Sequence, residues 1–155
     1  MGAVILPGSY DPVTLGHVDM IKRAAAIYSE VYAVIFINPD KKYSFSEADR
    51  LKMLTLACED IPGVCVDFYS GRVVDYMREH GIEKIIKGYR NECDLEYEKI
   101  QARYNLEHGG YETEFWQASE EFVHVSSTLA RAALSDKGKL TEILPQKVIA
   151  FINSH

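Results

Sequence analysis

Short apolar runs alternate along the chain with segments whose apolar residues recur at helical spacing. Five apolar runs are predicted to be strands, at residues 3–6, 31–37, 64–69, 84–87 and 113–117. The run at 31–37 has no polar alternation, which is typical of a central strand in a parallel sheet covered on both faces. The pattern therefore indicates buried parallel strands rather than a half-exposed antiparallel sheet.

The segments between these runs are predicted to be helices. Their bounds are residues 16–29, 46–58, 72–80, 94–108 and 126–134, with a last helix that starts at Pro145. Ser46 and Asp49 form a capping pattern at a helix start, and Gly81 stands where a helix is expected to end. Pro145 suits the first turn of a helix.

Alternating strands and helices with right-handed crossovers predict an α/β fold. We expect a single Rossmann-like, doubly wound parallel sheet of five strands with helices on both faces. Because no linker, repeat or charged tail interrupts the pattern, residues 1–155 are expected to form one domain. Ligands in such folds bind outside the carboxyl ends of the strands. The loops that follow the predicted strands are residues 7–15, 38–45, 70–71, 88–93 and 118–125.

Composition narrows the range of functions. The 155 residues are 47% hydrophobic and 26% charged, which is ordinary for a globular domain. A net charge of -6 argues against nucleic acid as a partner, so an anionic ligand needs a local cationic pocket. Three cysteines without metal or disulfide spacing are expected to be reduced thiols. With no signal peptide or membrane span predicted, a cytoplasmic location is expected.

The loop after the first strand, residues 7–17, carries the most chemistry. It matches neither a Walker A loop nor a dinucleotide turn. Gly16 allows close approach of a phosphate to the backbone, and His17 lies in the first turn of a helix, where anions bind. Taken alone, His17 is better explained as a surface residue at a helix start.

Other candidate residues also have simple structural explanations. Lys41 and Lys42 could form a solvated turn, and Ser126 could be an ordinary N-cap. The remaining candidates with such explanations are Ser9 as a turn residue, Glu96 and Glu98 on an exposed helix face, and His80, His108, His124 and His155 as structural or surface positions. No cluster of Asp, Glu or His shows metal-ligand spacing, so no protein metal ligand is predicted.

Four ordered motifs, read together, resemble the nucleotidylyltransferase superfamily. Thr14-Leu15-Gly16-His17 matches its Thr-x-Gly-His signature, and Gly8 to Pro12 precede it as in the family. The other matching segments are residues 39–50, 87–98 and 125–131. The similarity is greatest to the pantetheine-phosphate adenylyltransferase family and runs without gaps from about residue 4 to the last helix.

This resemblance implies a reaction. Enzymes of that family transfer AMP from ATP to 4′-phosphopantetheine and release pyrophosphate, forming 3′-dephospho-coenzyme A. Direct in-line attack without a covalent enzyme intermediate is implied, as is Mg²⁺ that accompanies ATP. The resemblance also implies a homohexamer and coenzyme A as a feedback ligand. The net charge and the lack of an apolar span predict that neither nucleic acid nor a membrane is a partner.

The resemblance assigns roles to individual residues. The catalytic residues it implies are His17, Lys41 and Arg90. The implied ATP-binding residues are Ser9, Tyr10, His17, Gly88, Tyr89, Arg90, Glu98, Val123, His124, Val125, Ser126, Ser127, Thr128 and Leu129. The implied residues for the second substrate are Ser9, Lys41, Val73 and Lys87.

The chain departs from the family pattern at a few positions. Lys87 replaces an arginine and loses bidentate phosphate recognition while keeping the charge. Leu95 replaces an aromatic residue, Asn91-Glu92 adds a carboxylate near the cationic loop, and Ser9 replaces threonine. Two alternatives therefore stay open. One is a sister nucleotidylyltransferase, such as a cytidylyltransferase or nicotinamide mononucleotide adenylyltransferase. The other is a nucleotide- or coenzyme-A-sensing protein without turnover.

Overall fold

The structure is a computed structural model that describes residues 2–154, so His155 lies outside the described residues. Its strands are β1 (Ala3–Gly8), β2 (Glu30–Phe36), β3 (Val64–Tyr69), β4 (Lys84–Tyr89) and β5 (Glu112–Gln117). Its α-helices are α1 (Leu15–Ile27), α2 (Glu47–Cys58), α3 (Val73–His80), α4 (Glu92–Gly109), α5 (Ser127–Ala132), α6 (Lys137–Leu140) and α7 (Gln146–Asn153).

All five strands are parallel and lie in the order β3-β2-β1-β4-β5, with helices on both faces of the sheet. This confirms the predicted α/β Rossmann-like fold. Side chains alternate across β1: Val4 and Leu6 enter the core under α1, α2 and α7, whereas Ala3 and Ile5 enter the core under α3. This burial on both faces explains why the central strands β1 and β2 are almost entirely apolar.

Strands β1 and β4 each run two residues beyond their predicted ends. Pro7 and Gly8 pair with β2, and Gly88 and Tyr89 pair with β5. The apolar pattern stops earlier because glycine and proline do not mark buried strands. Gly88 and Tyr89, predicted to lie in a loop, therefore belong to the end of a strand.

Several helices begin or end at residues other than the predicted ones. Helix α4 starts at Glu92 instead of residue 94, because the Asn91 side chain accepts a hydrogen bond from the Asp94 amide at 2.9 Å. Helix α1 ends at Ile27 and α5 ends at Ala132, both earlier than predicted. The short helix α6, capped by Asp136, and a 3₁₀ turn at Glu120–Phe122 were not predicted.

Strand β1 lies at the point where the strand order reverses, between β2 and β4. Its ladder with β2 continues as far as Gly8, but its ladder with β4 comprises only Val4 with Lys84 and Ile5 with Ile85. The two strands therefore separate toward their carboxyl ends. A crevice opens at this switch point, which is where open α/β sheets bind ligands. No helix within residues 2–154 is long and apolar enough to cross a membrane.

Candidate functional site

A cavity of about 570 Å³ lies over the carboxyl ends of β1 and β4. Its size is in the range of small-molecule sites. Fourteen of the predicted site residues lie in its wall: Ser9, Tyr10, His17, Lys41, Val73, Lys87, Gly88, Tyr89, Arg90, Glu98, Val125, Ser126, Ser127 and Thr128. Val123, His124 and Leu129 do not line it and are exposed beside it. Their contact with a nucleotide stays a prediction.

His17 is oriented by the start of helix α1. The Thr14 hydroxyl accepts a hydrogen bond from the His17 amide at 3.3 Å, and the His17 ring Nδ1 accepts one from the Thr14 amide at 2.9 Å. This is a capping box in which histidine takes the place of the usual glutamate. Because Nδ1 accepts, the neutral ring carries its proton on Nε2, which makes that nitrogen a donor.

The surroundings of His17 keep its ring neutral. The pKa of His17 is lowered from 6.5 to about 4, chiefly by burial and in addition by the nearby positive charges of Lys87 and Arg90. Tyr10 packs against the ring with 4.8 Å between centroids. At neutral pH the site therefore presents a hydrogen-bond donor rather than an imidazolium.

Tyr10 itself is held firmly in the loop after β1. Its φ of 47° lies in the left-handed region, which is costly for a residue with a side chain. The buried hydroxyl donates to the Leu6 carbonyl at 2.7 Å, and burial raises the pKa of the phenol above its ordinary value. The hydroxyl of this predicted ATP-binding residue is thus already used, leaving the ring and the backbone for a ligand.

Two lysines line the cavity, one from a loop and one from a strand. Lys41, in the loop after β2, has its Nζ 3.3 Å from the Ser9 hydroxyl. Lys87, on β4, donates to the Pro7 carbonyl at 3.0 Å and forms an ion pair with Glu98 at 3.3 Å. The Lys87 contact spans the gap where the main-chain ladder between β1 and β4 has ended.

Arg90 is paired within the cavity wall. Its Nε lies 3.0 Å from a carboxylate oxygen of Asp94, which also accepts from the Arg90 amide at 3.1 Å. We expected Glu92 to oppose the cationic loop, but the carboxylate in contact with Arg90 is Asp94. The helical turn of α4 explains this, because Asp94 lies four residues after Arg90 and faces back toward it.

The start of α5 supplies hydroxyl groups to the same cavity. Ser126 is its N-cap and accepts from the Leu129 amide at 3.0 Å. Ser127 donates to the Pro12 carbonyl at 2.8 Å, and Thr128 accepts from Arg131 at 3.1 Å. The predicted N-cap role of Ser126 is confirmed, and it is compatible with an anion at the free amides of the first turn.

Several cavity residues were not predicted as site residues. Arg131 donates to the Asp11 carbonyl at 2.8 Å, and its place in a motif was the only signal for it. Asn105 is buried in the cavity wall, and the Thr113 hydroxyl is a buried polar atom without a partner among residues 2–154. Both lie on regular elements, where the sequence pattern offers no sign of a ligand.

A family model named "Cytidylyltransferase-like" matches residues 5–133, most of the chain. The chain belongs to the cytidylyltransferase-like family. Within it, the phosphopantetheine adenylyltransferase of Thermotoga neapolitana is 41% identical over 145 residues, which cover 93% of this chain and 90% of the relative. The resemblance to the pantetheine-phosphate adenylyltransferase family is therefore confirmed.

Solved structures of more distant proteins share the fold of this family member. Plasmodium falciparum nicotinic acid mononucleotide adenylyltransferase complexed with NaAD aligns with a TM-score of 0.69 at 15% identity, covering 98% of this chain and 94% of that one. The same enzyme complexed with APC aligns with a TM-score of 0.72 at 15% identity, covering 99% and 96%. At this identity the similarity concerns the fold alone.

Proposed function

We propose that this chain transfers AMP from ATP to 4′-phosphopantetheine, forming 3′-dephospho-coenzyme A and pyrophosphate. An oxygen of the phosphopantetheine phosphate attacks the α-phosphorus of ATP, and the bond to the β-phosphate oxygen breaks. The observation that carries the proposal is the convergence of four cations and a neutral histidine on one cavity. Two polyanions must meet in this reaction, and such a cavity stabilises their approach. The name of the Thermotoga relative supports the choice of substrates.

His17 acts on the α-phosphate. Its Nε2 proton is directed to an oxygen on which charge develops during attack, because Nδ1 is held by the Thr14 amide. A preorganised donor of this kind stabilises the transition state without a protein nucleophile.

The acceptor phosphate binds between the ends of β1, β2 and β4. Lys41, Ser9 and Lys87 supply two ammonium groups and a hydroxyl there. The pantetheine arm then extends past Val73, where the buried Asn105 offers hydrogen bonds to its amides.

The nucleotide occupies the other side of the cavity. Arg90 binds its phosphates, exchanging part of its contact with Asp94 for them. The further residues proposed for ATP are Ser9, Tyr10, Gly88, Tyr89, Glu98, Val123, His124, Val125, Ser126, Ser127, Thr128 and Leu129.

Mg²⁺ is proposed to arrive with ATP rather than to be held by a protein cage. Among residues 2–154 no group of three His, Cys, Asp or Glu side chains could hold a metal ion. The residues present thus do not form a dedicated magnesium site, and no step of the mechanism is assigned to the ion. Its contacts are expected to be phosphate oxygens and water.

We also propose a homohexamer built from single-domain subunits of residues 1–155, located in the cytoplasm, with coenzyme A as a feedback ligand. Helix α4 supports an oligomer, because Ile100 is 67% exposed and Tyr97, Tyr104 and Leu106 are exposed near it. Light scattering after size-exclusion chromatography tests the hexamer.

The cysteines Cys58, Cys65 and Cys93 are all free, which supports the proposed location in the reducing cytoplasm.

The function is tested by pyrophosphate release from ATP and Mg²⁺ with 4′-phosphopantetheine. Parallel reactions contain nicotinamide mononucleotide, or CTP with glycerol 3-phosphate. Turnover with phosphopantetheine alone is the expected result. Turnover only with another pair would identify a sister nucleotidylyltransferase, and ATP binding without turnover on any pair would identify a sensing protein.

A further inference from the structure

Arg50, on helix α2, is a fully buried cation without a carboxylate partner. It is 1% exposed, and within residues 2–154 it forms no ion pair. Its Nη1 donates to the Ser9 carbonyl at 3.1 Å and its Nε donates to the Phe45 carbonyl at 3.2 Å. Buried guanidinium groups are usually paired with an acid. Here two carbonyls and an aromatic ring take the place of that partner.

The ring belongs to Tyr43. The Arg50 guanidinium carbon lies 3.9 Å from its centroid, and the Lys41 ammonium lies 5.5 Å from the same centroid. Both distances are within the range of cation–π contacts. The Tyr43 hydroxyl accepts a hydrogen bond from the Asn38 amide at 2.9 Å, which ties the ring to the beginning of the loop. One aromatic side chain thus contacts the cation that secures the Ser9 backbone and the cation that contacts the Ser9 hydroxyl.

The contact of Lys41 with the Tyr43 ring affects phosphate binding, because a lysine side chain is flexible. A lysine side chain has many rotamers, and it loses most of this conformational freedom when its ammonium group binds a phosphate. A ring that already holds the ammonium near its working position reduces that loss on binding. Arg50 in turn fixes the ring and the Ser9 carbonyl relative to each other.

We propose that Tyr43 is a positioning residue, which together with Arg50 holds Lys41 beside Ser9 for the acceptor phosphate. This rests on the proposed function only in naming that phosphate as the one on 4′-phosphopantetheine. Tyr43 itself acts through Lys41.

The kinetic test compares Tyr43→Leu with Tyr43→Phe. Tyr43→Leu removes the aromatic face and is expected to raise the KM for 4′-phosphopantetheine by about 2- to 30-fold, the range that a cation–π contact supplies, with the KM for ATP unchanged. Tyr43→Phe keeps the face and is expected to restore most of the wild-type KM. A KM for ATP that rises in parallel, or no change in either KM, would overturn the proposal.

Two controls separate positioning from general damage. Tyr28→Leu removes a similar ring, 5.9 Å from the Lys84 ammonium and outside the cavity, and is expected to leave both KM values unchanged. In a Lys41→Met background, Tyr43→Leu is expected to have no further effect on the KM for phosphopantetheine. If it has its full effect there, Tyr43 does not act through Lys41.

A measurement without turnover separates this proposal from the proposed function. The amines of Lys41 and Lys42 are acetylated in the free protein, and the extent at each position is followed by peptide mass spectrometry. Tyr43→Leu is expected to raise the labelling rate of Lys41 relative to its neighbour Lys42. An unchanged ratio overturns the positioning role. A changed ratio in a protein that does not turn over phosphopantetheine keeps that role and overturns only the function.

Discussion

The backbone next to His17 determines which nitrogen of its imidazole ring carries the proton. The motif at residues 14–17 predicted that this histidine is important, and its cap bond to Thr14 explains how it is held. The Thr14 amide selects the tautomer, while burial and two neighbouring cations keep the ring neutral. The interaction that caps the helix thus also orients the donor that we propose acts in catalysis.

Replacing His17 by alanine tests the transition-state role. Loss of one preorganised donor is expected to reduce kcat by roughly 10²–10³-fold with ATP binding largely intact. Steady-state kinetics and calorimetric titration with ATP measure the two effects. An increase in KM with kcat unchanged would show that His17 only binds substrate.

The protonation state of His17 can be followed directly by ¹⁵N NMR of the free protein. We expect its Nε2 to be protonated and Nδ1 to be bare at pH 7, with titration only near pH 4. The signal missing from His17→Asn assigns the residue. Titration near pH 6.5, or a protonated Nδ1, would contradict the geometry.

The same pKa shift affects stability. Between pH 6.5 and about 4 the unfolded chain binds more protons at His17 than the folded protein does. The contribution of His17 is therefore fully present above pH 6.5 and is lost as the pH falls through this window. Urea midpoints at several pH values are expected to fall less steeply in His17→Asn, and identical slopes would contradict the shift.

At the scale of elements, strands and helices were predicted best where the apolar pattern extends over many residues. All five strands and the helices α1 to α5 and α7 were predicted, because the spacing of apolar residues indicates which side chains are buried. The ends of β1 and β4 were missed because Gly8 and Gly88 carry no apolar signal, and α6 was too short to show a period. The pairing of Arg90 with Asp94 and the burial of Arg50 were missed because they depend on packing between elements.

The side chain of Lys87 connects strand β4 to strand β1. Lys87→Met removes a charged hydrogen bond to Pro7 and the ion pair with the half-buried Glu98. We expect the free energy of unfolding to fall by about 1–3 kcal/mol in urea denaturation, together with faster amide exchange at the ends of both strands.

The matched control for this bridge is Lys99→Met. Lys99 pairs with Glu96 at 3.2 Å on the exposed surface of α4, where an ion pair contributes about 0.5 kcal/mol or less. Equal destabilisation by the two changes would mean that Lys87 does not join the strands.

At the scale of the whole molecule, residues far apart in the chain form one binding cavity. Ser9, Lys41 and Arg90 become neighbours because parallel strands bring successive loops to the same edge of the sheet. That convergence was predictable from the α/β pattern. The presence of Asn105 and Thr113 in the cavity wall was not predictable, because both lie on regular elements without a motif.

Ligand binding at such a cavity is expected to stabilise the entire fold. ATP at 100 times its Kd contributes about 2.7 kcal/mol, which corresponds to an increase in Tm of about 5–11 °C for a protein of this size. Arg90→Ala is expected to show a smaller increase at the same ATP concentration, measured by calorimetry. An equal increase would exclude Arg90 from nucleotide binding.

The short ladder between β1 and β4 divides the sheet into two halves. One half brings Ser9, His17 and Lys41, and the other brings Lys87 and Arg90. The start of α5 follows β5 in the chain but contacts the loop after β1 through Ser127 and Arg131. Neither half alone has a full set of groups for two phosphate-bearing ligands, so separately produced fragments would regain activity only by docking along this seam. A ligand that binds residues of both halves connects β1 and β4 where main-chain hydrogen bonds between them are absent. While it is bound, such a ligand is a structural component of the sheet.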